Sequence, residues 1–187
     1  MALNLSTFGT TAARLSRVSF GPGLLKVNAW PGGTPTVDIG YAKDARLAIT
    51  RDKIELLQGV PQTFITQYAR RESVVIGFKG LEWNLDQMSN ALGTGRISGS
   101  PTNHFGFGGD IAFDFVQVEF QHQMPLGQTL TFRLWKAVGN GELNLALGDD
   151  FHEFDWSYTA VNAVTNWSGA NLNSDEQLCA IDLLGAL

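Results

Sequence analysis

The stretch DDFHEFD, residues 149 to 155, gathers Asp149, Asp150, His152, Glu153 and Asp155 into one short run. Carboxylates at this density are the donors a divalent cation takes. The spacing is not that of a calcium-binding loop, so the run reads as a solvated acidic turn between strands. GTGRISG, residues 93 to 99, has the glycines of a phosphate cradle, but Ser98 stands at the third glycine position and the segment follows a helical pattern where a strand is needed. His104, His122 and His152 sit in unlike contexts and form neither a zinc signature nor a base beside a nucleophile. Without a Gly-x-Ser-x-Gly elbow or a phosphate loop, the sequence reads as non-enzymatic, with no cofactor and no metal.

The residues left to explain are apolar and periodic. In ESVVIGFKGLEWNLDQMSNALG, residues 72 to 93, Val74, Ile76 and Phe78 recur at the strand period, and Leu85, Met88 and Leu92 recur at the helical one. Asn84 is placed to cap a helix, with Gln87 completing a capping box, Trp83 and Met88 spaced as a hydrophobic staple, and Gly93 as the C-terminal stop. The spacing predicts a strand, a corner at Trp83 and Asn84, and a short helix on the sheet.

Strand signals dominate elsewhere. Val37, Ile39 and Tyr41 alternate after a Pro/Gly turn, and RLAIT and KIELLQ read as further short strands. Phe115 and Val116 break the alternation of DIAFDFVQVEFQ, which points to a bulge or to the strand crossing between two packing layers. Asn140-Gly141 reads as a type I′ hairpin turn leading to Leu143, Leu145 and Leu147. The Gly-rich residues 93 to 110 read as a long surface loop. The expected fold is mainly β with some helix (α+β): one β-sandwich or barrel-like domain over residues 1–187, with one short flanking α-helix and long loops. An N-terminal arm (1–30) and an extended loop (59–71) complete it. The loop, GVPQTFITQYARR, carries Pro61, Phe64, Ile65, Tyr68, Arg70 and Arg71 as candidate subunit-interface residues.

The 187 residues suit one domain with a real core. The net charge of −5 argues against a nucleic-acid-binding surface. Residues 1–95 hold 10 Lys and Arg against 7 Asp and Glu, whereas residues 96–187 hold 3 against 11. Opposite halves of this kind favour head-to-tail association, unless the halves interleave in space. The lone Cys179 excludes an internal disulfide framework and reads as a structural thiol in a reducing cytoplasm. No apolar run approaches a membrane span and no leader pattern opens the chain, so a soluble chain with no membrane partner is expected.

The order IELLQGVPQTFITQYARRESVVIGFKGLEWNLDQMSNALG, then VQVEFQHQMPLGQTLTFRLWKAV and FDWSYTAVN, resembles the major tail tube proteins of tailed bacteriophages. The likeness spans roughly residues 37 to 165 and rests on a G-x-P turn, the LEW corner, the ALG helix end, and a turn at Pro125 and Gly127 leading to a strand that ends near Ala137. It implies a structural virion protein whose six copies form a ring, with inner sheets joined into a barrel. The rings would stack as a tail tube assembled in the host cytoplasm. Double-stranded DNA would pass through an acidic lumen without specific binding, and partners would include tape measure, tail terminator and baseplate or distal tail proteins. The tube of a bacterial contractile injection or secretion system is the nearest alternative. Five Trp residues also leave room for a carbohydrate-binding β-sandwich.

Overall fold

A computed structural model describes residues 23–80, 85–99, 103–109, 112–124, 127–141 and 154–184. Their architecture is mainly β: β1 (Gly23–Ala29), β2 (Val37–Gln58), β3 (Thr63–Gly80), α1 (Leu85–Leu92), β4 (Arg96–Ser98), β5 (His104–Gly106), β6 (Phe115–Gln123), β7 (Thr129–Gly139), β8 (Phe154–Ala160) and β9 (Cys179–Leu184). Seven strands form one antiparallel sheet in the order β6-β1-β2-β3-β8-β7-β9, and β7 also pairs with β6. The β7–β8 seam is short, joining Ala137, Val138 and Gly139 to Ala160, Thr159 and Tyr158.

The sheet folds over a single core, as a sandwich-like fold requires. Phe78 on β3 meets Phe120 on β6 at 5.5 Å between ring centroids although those strands are not neighbours. Tyr158 packs on Phe78 from β8, and Phe120 stacks on Phe132 of β7. Leu25, Val27, Val74, Ile76, Val118 and Leu134 fill the space between them. Each such side chain contributes roughly 1.5–3 kcal/mol on burial, which is what draws two sheet halves of this length together.

Several expectations change. The predicted N-terminal arm cannot reach residue 30, because β1 lies between β2 and β6 with Leu25 and Val27 fully buried; residues 1–22 lie outside the described residues. The three short strands expected between residues 37 and 58 are one 22-residue strand. It continues through a register shift between Lys43 and Arg46, where Asp44 adopts a positive φ. Within the Gly-rich loop, Arg96–Ser98 and His104–Gly106 pair as a small hairpin.

The Asn140-Gly141 turn is also not type I′. Among the described non-glycine residues only Asp44 has a positive φ, so Asn140 cannot supply the first position. Asn140 instead ties β7 to β8, donating its backbone N–H to the Ser157 carbonyl at 3.0 Å and accepting at Oδ1 from the Thr159 hydroxyl. Leu143, Leu145 and Leu147 lie outside the described residues. The predicted phase break in β6 is a bulge between Val116 and Val118, and residues 116–120 are buried on both faces.

Helix α1 starts at Leu85 and stops where the sequence places its stop. Gly93 has φ +69°, and its N–H bonds the Asn90 carbonyl at 3.2 Å. Met88 is half-buried. The docking point is Gly139 on β7, where a Cβ would run into the Asn90 and Ala91 carbonyls. Trp83 and Asn84, the expected corner, lie outside the described residues.

Candidate functional site

The most unusual feature is a two-stranded arm built from the distal parts of β2 and β3. β2 pairs with β1 only as far as Ala42, and β3 pairs with β8 only from Val75 onward. From Arg46 to Gln58 and from Thr63 to Val74 the two strands therefore pair with each other and with no further strand among the described residues. The ten residues from Ile49 to Gln58, opposite Thr63 to Val74, extend roughly 33 Å at about 3.3 Å each. Only residues 59 to 62 form the turn, with Gly59 at φ +95°, so the segment expected to be a loop over 59–71 is strand from Thr63.

Two extra residues in β3 decide which way its side chains face. At the base, Leu47 opposite Ile76 and Ile49 opposite Val74 share the core side, and Arg51 continues that side with an ion pair to Glu72 at 2.6 Å. Asp52 then pairs with Arg71 but Lys53 with Ala69, leaving Arg70 as an extra residue; farther out, Leu56 pairs with Thr66 but Leu57 with Phe64, leaving Ile65 extra. Each bulge shifts the alternation by one and turns the following side chains to the other face. Ile54, Leu56 and Tyr68 consequently share the outer face, and Leu57 and Phe64 share the core-side face near the tip.

The six candidate interface residues are all on this arm. Pro61 is in the turn after a cis peptide bond. Phe64, Ile65 and Tyr68 are exposed at 54%, 48% and 64%, and Arg70 and Arg71 are exposed beside them. They do not form one patch, since the register puts Phe64 and Tyr68 on opposite faces. The β2 residues missed in the sequence, Ile54 and Leu56 at 51% and 50% exposed, complete the outer face. Their signal was the Ile54/Leu56 alternation within KIELLQ, which does not reveal that no layer covers it. An isolated two-stranded ribbon is marginally stable in water, and apolar side chains on such a ribbon are the composition of a contact surface.

A second cluster fastens the opposite end of the sheet. Glu119 on β6 is buried and accepts from Arg133 Nε at 3.1 Å and from Gln121 Nε2 at 2.6 Å, and Arg133 also pairs with Asp182 on β9. Trp135 packs edge-on against Trp167 and donates Nε1–H to the Glu176 carbonyl at 2.8 Å. These groups satisfy one another, so the cluster works as a clasp across β6, β7 and β9. Cys179 begins β9 half-buried, and burial pushes its thiol above its ordinary value. Of the acidic run, Asp155 is exposed on β8, and residues 149 to 153 lie outside the described residues. His104 is exposed on β5, and His122 is buried on β6. No helix among the described residues is long and apolar enough to cross a membrane.

Compared with protein-family models and with curated proteins, the chain finds no match in either.

Proposed function

We propose that this chain is a self-assembling structural protein, the tail tube subunit of a tailed bacteriophage, forming sixfold rings that stack into a conduit for DNA. The observation that carries the reading is the arm: a long ribbon, anchored in a well-packed sheet, whose exposed Ile54, Leu56, Phe64, Ile65 and Tyr68 have no cover within the subunit's described residues. A neighbouring copy supplies that cover. The order of motifs along the chain supports the tail tube over other self-assembling folds. In this reading the chain resides in the virion tail, where it meets tape measure, terminator and distal tail proteins, and its acidic balance lets DNA slide without sticking.

Against the sugar-binding alternative stands the burial of two tryptophans, although Trp30 is 38% exposed and Trp167 is half-buried. Trp135 and Trp156 are 8% and 5% exposed, too covered to stack on a sugar ring. Electron microscopy with sedimentation velocity on the purified protein tests the proposal. Rings with sixfold symmetry, or tubes, are the expected result; a single monomer boundary at every concentration and salt, with empty grids, overturns it.

A further inference from the structure

We propose that the partner surface for the arm is the free edge of β9 on the next copy, so that the assembly contact is strand against strand and head-to-tail. This inference rests on the self-association reading above and specifies where the arm lands.

Strand β9 pairs with β7 over residues 179 to 184 and has no strand on its other side among the described residues. Ile181 and Leu183 lie opposite Phe132 and Leu130, on the face of β7 that packs on the core. Yet Ile181, Leu183 and Leu184 are 49%, 46% and 55% exposed. Short edge strands in native proteins are blunted by charge, proline or a covering segment. This one carries a single charge, Asp182, which Arg133 engages, and otherwise presents isoleucine and leucine. Its six residues span about 20 Å, which the distal arm more than matches.

Charge supplies the pairing. The distal arm, residues 51 to 71, carries Arg51, Lys53, Arg70 and Arg71 against Asp52 and Glu55, whereas residues 173 to 184 carry Asp175, Glu176 and Asp182 and no basic residue. Asp182 is engaged by Arg133 inside the subunit, and Asp175 and Glu176 are exposed at the approach to β9. Arg70, the bulged residue, and Arg71 flank the Ile54, Leu56 and Tyr68 face. An arm laid along β9 with that face toward Ile181 and Leu183 brings basic and acidic groups together at the rim. A cleft of about 210 Å³, lined by Ile49, Val74, Asp175, Leu178 and Cys179 among others, lies between the arm's own root and the start of β9. Arm and edge are different surfaces, so each copy offers one of each, and such a contact propagates into rings or filaments.

Complementation tests the inference. An arm variant, Arg70→Glu with Arg71→Glu, keeps an intact β9; an edge variant, Ile181→Asp with Leu183→Asp, keeps an intact arm. Neither should assemble alone, and mixing them in equal amounts should give a discrete heterodimer in sedimentation velocity. Hydrogen exchange on the unmodified protein gives a second readout independent of the variants' folding: assembly should slow the amides of 179–184 and of the arm together, by at least about tenfold. A parent that never assembles overturns both the function and this inference. Assembly of the parent with β9 amides unprotected, or an edge variant that polymerises like the parent, overturns the arm-on-edge contact alone.

Discussion

Tyr68 stands directly opposite Ile54 on the outer face of the arm because Arg70 is an extra residue in β3. Without that bulge, strict alternation from Val74 through Glu72 would carry Tyr68 to the core side, away from Ile54. One inserted residue makes the arm's apolar face.

Tyr68→Ser should therefore weaken self-association while leaving the subunit's melting temperature unchanged, because the ring is 64% exposed in the subunit. A central aromatic anchor contributes about 2 kcal/mol or more to an interface. Sedimentation velocity across a concentration series reads the loss, and a variant that assembles at the parental concentration removes Tyr68 from the contact.

Reversing Arg70 and Arg71 to Glu should block assembly without altering the circular dichroism spectrum, since both side chains are exposed and outside the core. Raising salt on the parent should weaken assembly in the same direction, as screening does for exposed charge. Parental tubes from the reversed variant would mean that the two arginines face solvent in the assembled state.

Gly139 is the point where helix meets sheet. A Cβ there meets the Asn90 and Ala91 carbonyls, which are backbone and cannot swing aside. Gly139→Ala should cost roughly 1–3 kcal/mol through displacement of α1, read as a lowered midpoint in urea. An unchanged midpoint would show that the helix can slide on β7 without loss.

Tyr158 is fully buried, and its hydroxyl has no hydrogen-bond partner among the described residues. Tyr158→Phe should be neutral or stabilising by about 1 kcal/mol, as removal of an unsatisfied buried polar group is. Burial also pushes the phenol well above its ordinary value near 10. Because the folded-state pKa is raised, stability is intact below about pH 10 and falls above it, where the unfolded chain alone releases the proton. The Phe variant should lose stability less steeply than the parent above that pH. Parallel alkaline profiles would contradict this account of the buried phenol.

Arg133→Met breaks the clasp between Glu119 and Asp182 and leaves a buried carboxylate without its cation. Losing one partner of a buried pair costs roughly 3–5 kcal/mol. The expected signature is a lower melting temperature with faster amide exchange over residues 179 to 184. Exchange unchanged there would show that β9 is held by its β7 ladder alone.

Much of the local architecture is legible in the residues themselves. The 3.6-residue recurrence of Leu85, Met88 and Leu92 and the conformational freedom of Gly93 predict α1 and its end, because helix periodicity and termination are short-range matters. The broken phase at Phe115 and Val116 likewise announces the β6 bulge, and the mainly β class follows from the alternation elsewhere. The β3 half of the arm is legible as exposed-looking apolar side chains, Phe64, Ile65 and Tyr68, beside paired arginines, whereas the β2 half, Ile54 and Leu56, is not. What the residues alone did not decide is how far pairing extends and which side each residue faces. RLAIT and KIELLQ look like separate strands until β3 lies beside both and makes them one ribbon. Phe64 and Tyr68 look like one patch until the extra residue Ile65 puts them on opposite faces. The charge contrast between the chain's halves is mixed within the sheet, since β1 lies against β6 and β3 against β8. Among the described residues it survives where the arm leaves the sheet and where residues 173 to 184 skirt it. Each of these outcomes depends on a partner strand distant in sequence, and register between distant strands is set by the packing of the whole sheet over one core.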